Sequence, residues 1–219
     1  MGDKETRNER VYLGIRTEIL SGKRRPGERL ATAELTKTFD SSVGVVRESL
    51  LRLSERGLVQ VRPMQGFFVA DVSLEDLHDL TEARLDIETL ALRYSIEQGD
   101  AEWEARLVGA HHLLSLTHRH VDGAVERFTA DWGKAHGAFH AALIDGCRNR
   151  RILSVAQRLR DSAELYRRWS VEIDPYQDRD IEGEHDALLR AALDHDTDRA
   201  VALLVEHIQK TQEVLRQGF

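Results

Sequence analysis

Four histidines stand at spacings that can build a metal centre. His136 and His140 are four residues apart, so on a helix both imidazoles leave the same face. His185 lies about ten residues before the polar turn Asp194-His195-Asp196, and His207 about eleven after it. In an antiparallel helical hairpin with equal rise on both arms, those two rings come level. Three helices then deliver four imidazoles to one point inside a bundle. Imidazole suits Zn(II), Ni(II), Cu(II) and Fe(II), binding through one ring nitrogen while a hydrogen bond holds the other. A lone histidine in a bundle is ordinarily a packed core residue, and it is the paired spacing that favours a metal here. His111, His112, His118 and His120 scatter around a single helix and are expected mostly at the surface.

The elements that must carry these residues are helices. Ser73 caps a pattern running to about Gln98, with Leu74, Leu77, Leu80, Leu85, Leu90 and Ile96 as its expected buried stripe, and Gly99 ends it. Ala101 to about His120 forms a second helix, about Val125 to Ile144 a third, and Asn149 to about Trp169 a fourth. Asn149 is placed to cap the fourth, and Pro175 closes the gap after it. Two further helices, about Ile181–Leu193 and Thr197–Gln217, flank the polar turn. No strand pattern or internal repeat interrupts this half.

The front of the chain is built differently. An apolar-periodic helix ends at Gly22, Pro26-Gly27 makes a turn, and short helices follow at about Thr32–Phe39 and Val43–Glu55. Strand candidates Leu58–Val61 and Phe67–Val69 flank a hairpin at Arg62–Gly66. This order fits a winged helix-turn-helix, or a generic small α+β domain. The fold class is therefore mainly α: residues 1–72 as an N-terminal winged helix-turn-helix, then residues 73–219 as an all-α antiparallel helical bundle.

Charge follows the same division. Of the 219 residues, the first 72 carry an excess of three basic groups, while the remainder brings the net charge to -7 and holds all ten histidines. No apolar run approaches the ~18 residues of a membrane span. Residues 1–10 are charged and lack the apolar segment of a secretory signal. Cys147 is the only cysteine, which excludes an internal disulfide or a cysteine-rich zinc module. A cytoplasmic location is expected.

The segments Ile19-Leu20-Ser21-Gly22, Pro26-Gly27-Glu28-Arg29-Leu30, Val46 to Leu53, Gly57-Leu58-Val59 and Gly66-Phe67-Phe68-Val69 together resemble the N-terminal domain of GntR-type bacterial transcription regulators. The resemblance implies that the second helix of the motif enters the major groove while the wing touches the minor groove or backbone. Ser42 to Arg47 then form the DNA-facing start of that helix, and Arg47 matches the family's arginine. Val43 stands where the family usually has arginine, Ala33 where it often has a basic residue, and Gly44 where a hydroxyl is common. Two guanidinium forks able to read guanine edges are thus missing. Arg47, Arg52, Arg62, Gln65 and the turn Lys23–Arg25 remain for phosphate contacts.

Glu82-Ala83-Arg84 with Glu88, then His136 to His140, Asn149, Glu184-His185 and His207 resemble the FCD-type effector domain of the fatty-acid-regulator (FadR) branch of those proteins. Such domains commonly hold a metal through an Asp and a His four apart and two later histidines about 22 apart. Here His136 occupies the Asp position, giving four histidines and no carboxylate. The resemblance implies a small carboxylic acid on the metal's open positions, gripped by an arginine that aligns with Arg84. A guanidinium holds a carboxylate in bidentate fashion. The plainer role for Arg84 is an intrahelical pair with Glu88.

The expected protein is therefore a homodimeric, ligand-responsive transcription regulator and not an enzyme. It would bind operator DNA, a divalent transition metal (Zn(II) first, Ni(II) next) and a small carboxylate effector, without a membrane. Two rivals stand beside this: a metal-dependent hydrolase with Glu184 as its base, and a helical binding module whose four histidines close a structural metal site.

Overall fold

A computed structural model describes residues 7–118, 120–121, 124–169 and 179–217. The chain order is α1 (Arg7–Leu20), α2 (Thr32–Thr38), α3 (Val43–Glu55), β1 (Val59–Arg62), β2 (Gly66–Val69), α4 (Leu74–Gln98), α5 (Ala101–Leu116), β3 (His120–Val121), β4 (Ala124–Phe128), α6 (Ala130–Ile144), α7 (Arg150–Trp169), α8 (Ile181–Leu193) and α9 (Thr197–Arg216). Mainly helical architecture with a two-stranded wing is what the periodicities predict. Pro175 lies outside the described residues.

Two compact units divide the chain. The first holds the residues up to Ser73 together with Arg158–Trp169. Its core is Val11, Ile15 and Ile19 of α1, Leu35 of α2, and Val46, Leu50 and Leu53 of α3, all at 0–1% exposure. These recur every three or four residues, so each helix buries one stripe and leaves the rest to solvent. Ser42 caps α3, its hydroxyl accepting from the Val45 amide at 3.3 Å. β1 and β2 pair antiparallel in the register Val59 with Val69 and Arg62 with Gly66. The segment Glu28–Leu30, which the sequence marks only as the end of a turn, adds a third edge: Leu30 donates to the Phe67 carbonyl at 2.8 Å and Val69 to that of Glu28 at 2.9 Å.

A boundary at 72/73 assigns all of α7 to the second half, whereas its last twelve residues belong to the first unit. Leu165 joins the winged-helix core. Asp161 pairs with Arg16 at 2.5 Å, and the Tyr166 hydroxyl accepts from the Ser73 amide at 3.1 Å. Nothing in the amphipathic period of α7 distinguishes its two ends.

The second unit is the helical bundle, Leu74–Gln157 with the residues that follow Trp169. Asn149 caps α7, as expected, accepting from the amides of Arg151 and Ile152 at 3.1 and 3.3 Å. The third helix starts later than its periodicity suggests. Residues 124–128 form β4, paired with β3, and α6 begins at Ala130. Thr129 fixes that start, its hydroxyl accepting from the Trp132 amide at 3.0 Å and donating to the His118 carbonyl at 2.7 Å. Within the bundle, Trp103 of α5 is sealed in the core with its indole N–H on the Ala142 carbonyl at 2.8 Å.

Candidate metal centre and DNA-facing surface

His136 and His140 project from one face of α6, His185 from α8 and His207 from α9. All four are buried, at 2–6% exposure. The α8–α9 hairpin brings His185 and His207 level, with ring centroids 5.1 Å apart. His140 lies 4.8 Å from the His207 ring and 5.1 Å from that of His185. Each residue offers one ligand atom within 4.8 Å of all the others, so the four form a single cluster.

The donor set fits a cation. Nε2 of His136 and Nε2 of His140 are 3.2 Å apart. Two nitrogens on the edge of a tetrahedron with metal–nitrogen bonds of ~2.0–2.1 Å would stand about 3.3–3.4 Å apart. Four imidazoles gathered in one buried pocket are a nitrogen donor set of the kind that suits a divalent transition metal. The aromatic frame holds the rings in place: Trp132 stacks on His136 at 4.7 Å, and Phe139 meets His140 and His185 edge-on.

Behind His207 lies a polar support that the sequence reading assigned differently. Nδ1–H of His207 donates to Glu184 Oε2 at 2.8 Å. Arg179 clamps the same carboxylate, donating from Nε at 2.8 Å and from NH2 at 2.5 Å, and also donates to the His207 carbonyl at 3.0 Å. Burial works against ionisation of Glu184, but hydrogen bonds from Arg179 and His207 outweigh it and hold the carboxyl well below the usual range. Burial pushes the His207 imidazole down to about 4, with Glu184 pulling upward and Arg179 and Arg84 pushing downward. Glu184 therefore backs a ligand rather than facing the centre, an unsuitable place for the base of a hydrolase. Arg179 carried no sequence signal, because its relation to His207 exists only in the folded α8–α9 pair.

Arg84 makes the intrahelical pair: Nε donates to Glu88 Oε1 at 2.6 Å. The pair is not a solvated one, since Glu88 is 1% and Arg84 13% exposed at the side chain. The Arg84 charge is the smallest of the influences that push the His207 imidazole down. His111, expected at the surface, is mostly covered, bonded to Asp186 at 2.9 Å and edge-on to Phe139. His112 and His118 are exposed.

On the first unit, Ser42, Val43, Gly44 and Arg47 lie on the exposed side of α3, opposite Val46 and Leu50, and Gln65 is exposed at the wing tip. Arg62 sits over the Phe68 ring at 4.3 Å and bonds Asp71 at 2.7 Å. Arg52 faces another way, stacked on Tyr12 at 4.1 Å and paired with Glu9 of α1 at 3.1 Å. The basic turn is also engaged. Lys23 pairs with Glu18, and Arg24, 10% exposed, reaches Glu18, Glu28 and Glu34 at 2.7–3.1 Å.

Comparison with known proteins agrees with both units. Residues 7–69 match the family described as bacterial regulatory proteins, gntR family, and residues 79–210 match the FCD domain. An HTH-type transcriptional regulator of Paraburkholderia xenovorans, BphR, is 38% identical over 95% of this chain and 85% of its own. The HTH-type transcriptional repressor GlaR of Escherichia coli is 31% identical over 94% of each chain. Among solved structures, E. coli McbR/YncC superposes with a TM-score of 0.76 at 20% identity, covering 97% of this chain and 98% of that one. A GntR-type regulator from Rhodococcus sp. RHA1 gives 0.77 at 23% identity, covering 97% and 99%. These relatives are transcription regulators, not enzymes. Among the described residues no helix is long and apolar enough to cross a membrane.

Proposed function

This chain belongs to the gntR family of bacterial regulatory proteins, as a DNA-binding transcription regulator with an FCD domain, and from that premise we propose that it is a homodimer switched by a small carboxylate bound at a metal in the second domain. Residues 1–72 provide DNA binding and residues 73–219 effector binding and dimer contacts. The observation that carries the reading is the convergence of four buried imidazoles from α6, α8 and α9.

His136, His140, His185 and His207 would hold the ion, Zn(II) in first place and Ni(II) in second, since a set of neutral nitrogens suits both. A bound divalent ion there supplies a Lewis-acid cation to which a carboxylate oxygen can attach. Arg84 completes the grip: Nε is spent on Glu88, and the terminal nitrogens of the fork take the effector's carboxylate. α4, which carries Arg84 and begins directly after the first unit, transmits the change. A coupling of only ~1–3 kcal/mol shifts operator occupancy usefully.

On DNA, Ser42, Val43, Gly44 and Arg47 face the major groove, while Arg62 and Gln65 bring the wing to the backbone or minor groove. Arg52 supports this surface from behind by fastening α3 to α1. A second reading has one observation in its favour. The 3.2 Å spacing of His136 and His140 suits a closed four-histidine tetrahedron, in which the metal is purely structural.

Fluorescence anisotropy with duplex DNA from upstream of the gene, at two salt concentrations, tests the proposal. Saturable, salt-sensitive binding that exceeds scrambled duplex is expected, and added organic acids should change it only in the metal-loaded protein. Acids acting equally on metal-loaded and metal-stripped protein would leave the closed structural site as the better account.

A further inference from the structure

Resting on the reading of α3 as the helix that enters the major groove, we propose that Val43 determines operator specificity by packing against the methyl group of a thymine. Val43 is the first residue of α3 after the cap at Ser42. It is 56% exposed, in a helix whose inner face, Val46, Leu50 and Leu53, is fully buried. Its exposure therefore follows from its place on the outer face, which it shares with Arg47 at the i, i+4 spacing. Among the described residues other than its chain neighbours, only the Ser42 hydroxyl comes within 4 Å of where a Cβ on the adjoining Gly44 would stand, at 3.9 Å, and the first turn of α3 itself carries no acidic residue.

The chemistry of the groove selects the partner. A valine can neither donate nor accept a hydrogen bond, so the edges of guanine, adenine and cytosine give it nothing to bind. Thymine alone among the four bases presents an apolar group there, its C5 methyl. A β-branched side chain on a helix holds essentially one χ1 rotamer, so the two valine methyls are presented at little entropic cost. Gly44 lets the backbone approach closely enough for so short a side chain to reach. Four residues of helix rise about 6 Å, close to two base-pair steps at ~3.4 Å, so the thymine should lie about two base pairs from the contact made by Arg47.

The test begins with the operator that the full-length protein selects from a random duplex pool. Each thymine of a half-site is then replaced by uracil, which removes the methyl and leaves base pairing intact. At one position per half-site, uracil should weaken binding roughly fourfold, the worth of one buried methyl. In Val43→Ala, which keeps a good helix former, the thymine–uracil ratio at that position should fall to about one, and Val43→Thr, which retains a methyl, should restore part of it. An operator that tolerates uracil everywhere, or an unchanged ratio in Val43→Ala, overturns the assignment of Val43 while leaving the regulator intact. A pool from which no sequence is enriched overturns both.

Discussion

The carboxylate of Glu184 accepts a hydrogen bond from Nδ1–H of His207 at 2.8 Å, and this contact fixes which nitrogen of the imidazole is left for a cation. An ionised carboxylate can only accept, so Nδ1 carries the proton and Nε2 carries the lone pair. Arg179 NH2 lies 3.3 Å from the same Nδ1, but its protons have shorter acceptors in Glu184 Oε2 and the His207 carbonyl. Such a carboxylate behind a histidine orients the ring and raises its basicity as a ligand.

Glu184→Gln should therefore lower metal affinity about tenfold, and Glu184→Ala further, toward 100-fold, the range for loss of a partner behind a ligand. Competition with a chelator of known affinity reads this directly. At saturating metal, both variants should still bind one ion per site. Wild-type affinity in Glu184→Ala would mean that the contact with Arg179 is structural and irrelevant to the ion.

Removal of a ligand should behave differently from removal of Arg84. His140→Ala or His185→Ala should reduce metal per chain well below that of the wild type, measured by elemental analysis after gel filtration. Arg84→Ala should keep full metal content and lose effector binding. Because Arg84 covers the buried carboxylate of Glu88, thermal melts must accompany it. Arg84→Lys, which keeps the charge but not the fork, separates charge from bidentate grip. Joint loss of metal and effector in both variants would assign Arg84 to folding.

Much of this site was legible in the chain because helical geometry is regular. The i, i+4 spacing of His136 and His140 and the near-equal distances of His185 and His207 from one turn are enough to place four rings together. The start of α3 was equally legible, through a serine cap followed by an apolar stripe. What escaped were relations with no local signature. Arg179 meets His207 only across a folded hairpin, and the end of α7 joins the winged helix through Leu165 and Asp161. Val125 and Phe128, compatible with a helical period, lie in β4, since β-branched and aromatic residues suit either state and Thr129 provides the competing cap.

The depressed pKa of His207 gives a pH dependence with a definite sign. The folded imidazole titrates at about 4 against an ordinary value of 6.5. Between these values the unfolded chain binds the proton and the folded one does not, so stability rises with pH across that window. In metal-free protein the contribution is complete above about pH 6.5 and lost as pH falls toward 4, on the order of 3 kcal/mol in all. Thermal melts at pH 7.5, 6 and 5 should fall more steeply for the wild type than for His207→Gln. Excess metal should move the loss to lower pH, because the ion competes with the proton for Nε2. Parallel curves for wild type and variant would contradict the assignment to His207.

Two arginines of the first unit have opposite environments and should separate stability from DNA binding. Arg24 is buried among Glu18, Glu28 and Glu34, whereas Arg47 is exposed on the outer face of α3. Removing Arg24 leaves the largely buried Glu18 with one of its two cations gone, so Arg24→Ala should cost about 3 kcal/mol of stability. The salt dependence of DNA affinity in the folded variant should be unchanged. Arg47→Ala should leave the melting temperature nearly in place and reduce the slope of log affinity against log salt by about one, the loss of a single phosphate contact. Should Arg47 instead bond a guanine edge, the slope will hold and discrimination at one base pair will fall. A reduced slope for Arg24→Ala, measured at a temperature where the variant is fully folded, would return the Lys23–Arg25 turn to the DNA surface.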